Sequence, residues 1–144
     1  MIKKRDLRKK IIQDKIGMII DSLEYIEQNF PEKFSDFTSR TIKNSVYKEI
    51  EFAIQNCIDI CSIINSDLRL GTPESEDSIF YHLESNKILS KKSIEKISEM
   101  KKFRNILVHR YGEIKDEIAF GSIKEGLPDF ELIINEFEKF LKNH

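Results

Sequence analysis

The sequence predicts an all-α protein, a four- to five-helix up-down bundle made by residues 1–144 as one domain. Three observations lead there. With 5 Gly, 3 Pro and no Trp in 144 residues, turn-formers are too scarce for a loop-rich or many-stranded fold. Apolar residues recur in steps of three and four over long stretches, the period of one helix face. Hydrophobic residues make up 40% of a chain of ordinary domain size, which supplies one core rather than several.

The first helix spans Leu7 to Phe30, with Leu7, Ile11, Ile12, Ile16, Ile19, Ile20, Leu23, Ile26 and Phe30 in helical register. Gly17 inside it implies either a close neighbouring helix or a locally weak turn. Phe30-Pro31 ends it, because the residue before a proline is pushed out of the helical region. A second long helix starts near Asp36 or Ser39, both good caps, and carries Ile42, Val46, Ile50, Ala53, Ile54, Cys57, Ile60, Cys61 and Ile64 on one face. Cys57 and Cys61, one turn apart, fit small buried residues better than half of a zinc site.

The breaker cluster Gly71-Thr72-Pro73-Glu74-Ser75-Glu76 is a loop. A short helix comes after it over Asp77 to Glu84, with Ile79, Phe80 and Leu83 facing in. Ser90 caps a further helix from Lys91 to about Arg110, striped by Ile94, Ile97, Met100, Phe103, Leu107 and Val108. Gly112 and the polar stretch to Glu117 break it. A shorter helical piece with Ile118, Phe120 and Ile123 comes next. Pro128 then suits the first turn of a last helix built on Phe130, Ile133, Ile134, Phe137, Phe140 and Leu141.

Charge excludes some functions and localises others. The 24 Lys+Arg and 25 Asp+Glu nearly cancel, so net charge gives no generic nucleic-acid binder and no acidic tail. The distribution is uneven. Residues 1–15 hold seven basic side chains (Lys3, Lys4, Arg5, Arg8, Lys9, Lys10, Lys15) against two acidic ones, and residues 91–111 again hold seven against two. The first cluster reads as solvated helix surface; the second surrounds the run from Arg104 to Tyr111. No uninterrupted apolar run approaches the roughly 18 to 20 residues that cross a bilayer. The basic start is not a signal peptide, since Gln13, Asp14, Lys15 and Asp21 interrupt the apolar stretch behind it. A cytoplasmic protein without membrane contact is expected.

The residues that carry chemistry are Arg104-Asn105-Ile106-Leu107-Val108-His109-Arg110-Tyr111. An arginine and a histidine five apart diverge by about 140° around a helix, so spacing alone argues weakly for one site. The histidine nevertheless lies in the last turn before Gly112, beside Arg110 and Tyr111, both suited to phosphate or nucleotide. An imidazole that titrates near neutrality moves protons, and a guanidinium holds the charge that builds on a phosphate. Together they are a minimal kit for cleaving RNA without a metal or other cofactor. Lys101, Lys102 and Arg110 are candidate RNA contacts.

This run resembles the Arg-x4-His-x-Tyr signature of the HepT-like branch of the HEPN superfamily, toxins paired with MntA-type nucleotidyltransferase antitoxins. Tyr47-Lys48-Glu49-Ile50-Glu51-Phe52-Ala53-Ile54-Gln55 leading to Cys57-Ile58-Asp59-Ile60 is similar to the family's second helix. Ile79-Phe80-Tyr81-His82-Leu83 and Met100-Lys101-Lys102-Phe103 fit as well, so the likeness covers roughly residues 36 to 118. It implies a HEPN-like helical fold, a homodimer whose motifs face one another across a cleft, and metal-independent endoribonuclease activity on an RNA substrate. It makes Arg104 and His109 the catalytic pair, Asn105 their support, and Tyr111 the tyrosine that the antitoxin adenylylates. Arg110 stands where the family often has a small residue, and Asp59 on the second helix is near the site or an ordinary surface acid. A non-catalytic HEPN module that binds nucleotide or a partner is the alternative, and a helical scaffold without a site is the blandest one. The intact Arg104 and His109 favour the enzyme, because a binding module has no need of a titrating imidazole there.

Overall fold

A computed structural model describes residues 6–144. Lys3, Lys4 and Arg5 of the basic start lie outside the described residues. The helices are α1 (Lys9–Asn29), the single turn α2 (Phe34–Phe37), α3 (Arg40–Asp67), α4 (Glu76–Ser85), α5 (Lys91–His109) and α6 (Asp116–Lys142), with a 3-10 turn at Tyr111–Glu113. Among the described residues there is no strand, and no helix is long and apolar enough to cross a membrane.

The fold is the predicted helical bundle. Helices α1, α3, α5 and α6 each pack against two neighbours in a ring, and α4 leans on α3 and α5. Helix α3 is the spine because its apolar positions face inward on several sides: Val46, Ile50, Ala53, Ile54, Cys57, Ile58, Ile60, Cys61 and Ile64 are all buried. Burial pushes the Cys57 thiol up to about 12 and raises that of Cys61 as well, so neither is a ready nucleophile or ligand. Local signals set the ends. Ser75 and Ser78 form a reciprocal capping box at α4, and Ser90 accepts the Ser93 N–H at α5.

Two long-range contacts extend the predicted frame. Arg8 donates to Asp67 through its backbone N–H at 3.0 Å and its guanidinium, closing the start of α1 onto the end of α3 around a fully buried carboxylate. One member of the N-terminal basic cluster is therefore a structural staple. His82 Nδ1 sits 2.9 Å from Asn65 Oδ1, while the Asn65 amide donates to the Gly71 carbonyl at 3.0 Å. A Cβ on Gly71 would lie 2.5 Å from the His82 ring, so glycine is required where the loop into α4 crosses that side chain.

The structure departs from the sequence-based expectation at several points. Pro128 does not start a helix; it lies inside α6, which runs unbroken from Asp116. Ala119, Ile123, Phe130, Ile133, Phe137 and Phe140 are buried along one continuous stripe, and breaking the helix would rotate half of it out of the core. That burial outweighs a proline cost of about 3 kcal/mol. Val108, assigned to the apolar stripe of its helix, is 47% exposed, and Ile118 of the predicted short helical piece is 64% exposed. Gly17 is not a site of close approach, since a Cβ there meets nothing within 4 Å. Gly17→Ala should therefore stabilise the protein by about 0.5–1 kcal/mol, read as a higher urea midpoint at unchanged slope.

Candidate active site

The antiparallel pair α3 and α5 carries the site, with α4 closing one side. Arg104 lies in the last half of α5, and its side chain is only 11% exposed. It is held by three helices. Its NH1 donates to Gln55 Oε1 of α3 at 2.8 Å and to Glu76 Oε2 at the start of α4 at 3.0 Å. Its NH2 donates to Glu76 Oε1 at 2.7 Å and to Asn105 Oδ1 at 2.7 Å, and its Nε donates to Asn105 Oδ1 at 3.2 Å. The Glu76 pair is the bidentate fork that matches a guanidinium to any two-oxygen anion.

Behind Arg104 a polar relay continues along α3. The Gln55 amide nitrogen donates to Asp59 at 2.8 Å, and Lys15 of α1 donates to the other Asp59 oxygen at 3.3 Å. This fixes which way the Gln55 amide points, with its oxygen to the arginine and its nitrogen to the carboxylate. Asp59 is thus one residue removed from Arg104 and touches it only through Gln55.

His109 is the last residue of α5, exposed, and bonded to no described residue. It shares a helix face with Asn105, four residues earlier. Because Asn105 grips the guanidinium at both Nε and NH2, it draws the arginine towards the side on which His109 stands. The structure brings Arg104 and Asn105 together and leaves His109 free at the rim.

Tyr111 goes elsewhere. Its ring meets Tyr47 edge-on at 6.0 Å, and its hydroxyl donates to Asn44 Oδ1. Asn44 and Gln55 are eleven residues apart on α3, about 16 Å along the axis, so the Tyr111 hydroxyl is not beside the Arg104 guanidinium of its own chain. Beneath it, Tyr47 and Lys43 donate to Asp116 at 2.6 and 3.0 Å, tying the start of α6 to α3. Burial opposes the charge on Asp116, but those two bonds and the lysine's charge outweigh it and hold its carboxyl below the usual value.

The flanking cations differ in availability. Lys101 donates to Asp77 at 2.8 Å and is largely covered. Lys102 is exposed and unpaired among the described residues, and Arg110 is only loosely opposed by Glu113 at 3.8 Å. Among the described residues no group of three or more His, Cys, Asp or Glu side chains is placed to hold a metal ion. Sequence reasoning missed Gln55 and Glu76. A glutamate in a breaker loop and a glutamine on a helix have no local signature that ties them to an arginine 28 or 49 residues away.

Known proteins are similar to this chain in sequence and fold. A family model described as Ribonuclease HepT-like matches residues 19–137, beyond the 36–118 that the motifs alone covered. An mRNA nuclease HepT of Shewanella oneidensis is 30% identical over 87% of this chain and 94% of its own length. A tRNA nuclease HepT of Aphanizomenon flos-aquae is 26% identical over 88% of this chain and 84% of its own. The solved structure of the tri-AMPylated Shewanella oneidensis HEPN toxin in complex with its MNT antitoxin superposes with a TM-score of 0.81. It is 30% identical, with coverage of 90% of this chain and 97% of that one.

Proposed function

Because the chain belongs to the HepT-like ribonuclease family, we propose that it is the endoribonuclease toxin of a toxin–antitoxin pair, with Arg104 and His109 as its catalytic residues. One observation carries the assignment of roles: an exposed, unbonded imidazole stands on the helix face of Asn105, the residue that grips the Arg104 guanidinium. The ribose 2′-oxygen attacks the adjacent phosphorus and the bond to the 5′-oxygen breaks. His109 carries the proton from the nucleophile to the leaving oxygen, and Arg104 holds the charge on the phosphorane oxygens. The products are a 2′,3′-cyclic phosphate and a 5′-hydroxyl. Lys102 lies free to meet a neighbouring phosphate and Arg110 is held only loosely by Glu113, whereas Lys101 must first leave Asp77.

Residues 1–144 act as one domain, and two copies form the working unit. Phe52 lies one turn before Gln55 on α3, and Val108 lies one turn after Arg104 on α5. In an antiparallel pair those steps run the same way, so two side chains that are 46% and 47% exposed flank the arginine cluster as an apolar patch. Burying that patch against a second copy would set two motifs across one cleft, so that each phosphate meets an arginine and a histidine whichever chain supplies them. An MntA-type nucleotidyltransferase, like the antitoxin in the complex of the relative, is proposed to silence the toxin by adenylylating Tyr111.

The purified protein should run as a dimer by light scattering at micromolar concentration and cleave total RNA in excess chelator, leaving 2′,3′-cyclic phosphate ends. Activity lost to EDTA and restored by Mg²⁺ or Mn²⁺ would sink the mechanism.

A further inference from the structure

A guanidinium has five N–H donors, and in Arg104 all five are occupied: one by Gln55, two by Asn105 and two by Glu76. No donor is left for a phosphate. The three partners are not equivalent. Gln55 and Asn105 are neutral and approach from α3 and from α5 itself, where the Gln55 amide is locked by Asp59. Glu76 alone is an anion, and it takes the NH1–NH2 edge with both oxygens, the geometry in which two phosphate oxygens would bind. Its side chain is 33% exposed, and it belongs to the first turn of the ten-residue helix α4, at the edge of the site rather than in the core.

We propose that Glu76 occupies the edge of the Arg104 guanidinium that the RNA phosphate must take, and so sets the affinity of the site for RNA. This rests on the reading of Arg104 as the phosphate-holding group. Gln55 and Asn105 keep the guanidinium plane in place while one two-oxygen anion replaces another. The exchange needs no movement of α5; a rotamer change at Glu76 frees the edge. Fractional opening lowers apparent affinity by the same fraction, so the carboxylate acts as a standing competitor in every molecule. The competitor also discriminates. A ligand that offers one oxygen or no charge gains less from the fork than it loses by breaking the Glu76 pair, whereas a phosphodiester replaces both bonds.

The test uses a 2′-O-methyl oligonucleotide, which the proposed chemistry cannot cleave, with binding followed by fluorescence anisotropy. Glu76→Gln and Glu76→Ala should each bind about tenfold more tightly than wild type. The gain should vanish when combined with Arg104→Ala. Glu74→Gln removes an equal charge from the loop just before α4 and should stay within about twofold of wild type. In a cleavage assay Glu76→Gln should lower KM with kcat near its wild-type value, a split that a merely structural glutamate would not produce.

If both Glu76 variants bind no more tightly than wild type, Glu76 is a strut for Arg104 and the proposal fails. It fails equally if Glu74→Gln matches the gain or if the gain survives without Arg104. Tighter binding by the Glu76 variants of a protein that cleaves no RNA would leave this inference standing and remove the nuclease reading. Cleavage that needs Arg104, with no gain at Glu76, would do the reverse.

Discussion

His109→Ala should slow RNA cleavage by about 10²–10⁴-fold, the usual worth of a positioned proton carrier. It should leave the fold untouched, because the imidazole is exposed at the end of α5 and bonded to no described residue. A normal melting temperature with lost activity is therefore the expected pair of results. Arg104→Lys should lose about 10²–10³-fold for a different reason. The planar fork serves Gln55, Asn105 and Glu76 at once, and an ammonium with three donors cannot reproduce five directed bonds. That variant should also be less stable, since Glu76 and Gln55 lose partners in a part-buried site. Single-turnover cleavage of a fluorogenic RNA in chelator, set beside thermal melts, separates the two residues. Substantial activity in His109→Ala would overturn the assignment of the proton carrier, whatever Arg104 does.

The difference between these two residues marks how far the sequence could be read. Features that depend on near neighbours in the chain were legible: the stop at Phe30-Pro31, the Ser90 cap, the buried stripe of α3 and the Arg104-Asn105-x3-His109-x-Tyr111 register itself. What was missed depends on contacts distant in sequence. Pro128 signals a helix start by every local rule, and only the core that Ala119 and Phe130 share on one face keeps α6 continuous through it. Arg104 was legible as a charge, but its partners Glu76 and Gln55 come from other helices, and no period in the chain announces them. Val108 fits the apolar stripe of α5 by residue type and is 47% exposed instead. In a single chain that is a misplaced valine; in the proposed dimer it is part of an interface.

Co-expression with an MntA-type nucleotidyltransferase should place AMP on Tyr111 and abolish cleavage, and Tyr111→Phe should remain an active nuclease that such an antitoxin cannot silence by modification. The tyrosine is suited to both outcomes. Its ring is held by Tyr47, so phenylalanine keeps the packing and forfeits only the hydroxyl bond to Asn44, a loss of about 1 kcal/mol or less at a half-exposed site. Adenylylation removes the same donor and adds a bulky, negatively charged phosphodiester two residues from His109. The first added phosphate cannot pair with Arg104 of its own chain, because the hydroxyl points at Asn44, about 16 Å along α3 from Gln55. Silencing by one nucleotide therefore acts at the rim, by crowding His109 and repelling the RNA backbone. A chain of several nucleotides, or a modified tyrosine reaching across the dimer, could contact the arginine directly. Mass spectrometry of the Tyr111 peptide, scored against residual cleavage for each number of added AMP groups, tells these apart. Loss of activity at the first addition supports obstruction at His109, and loss that tracks later additions supports capture of Arg104. An unmodified Tyr111 in a fully inhibited complex would assign silencing to antitoxin binding alone.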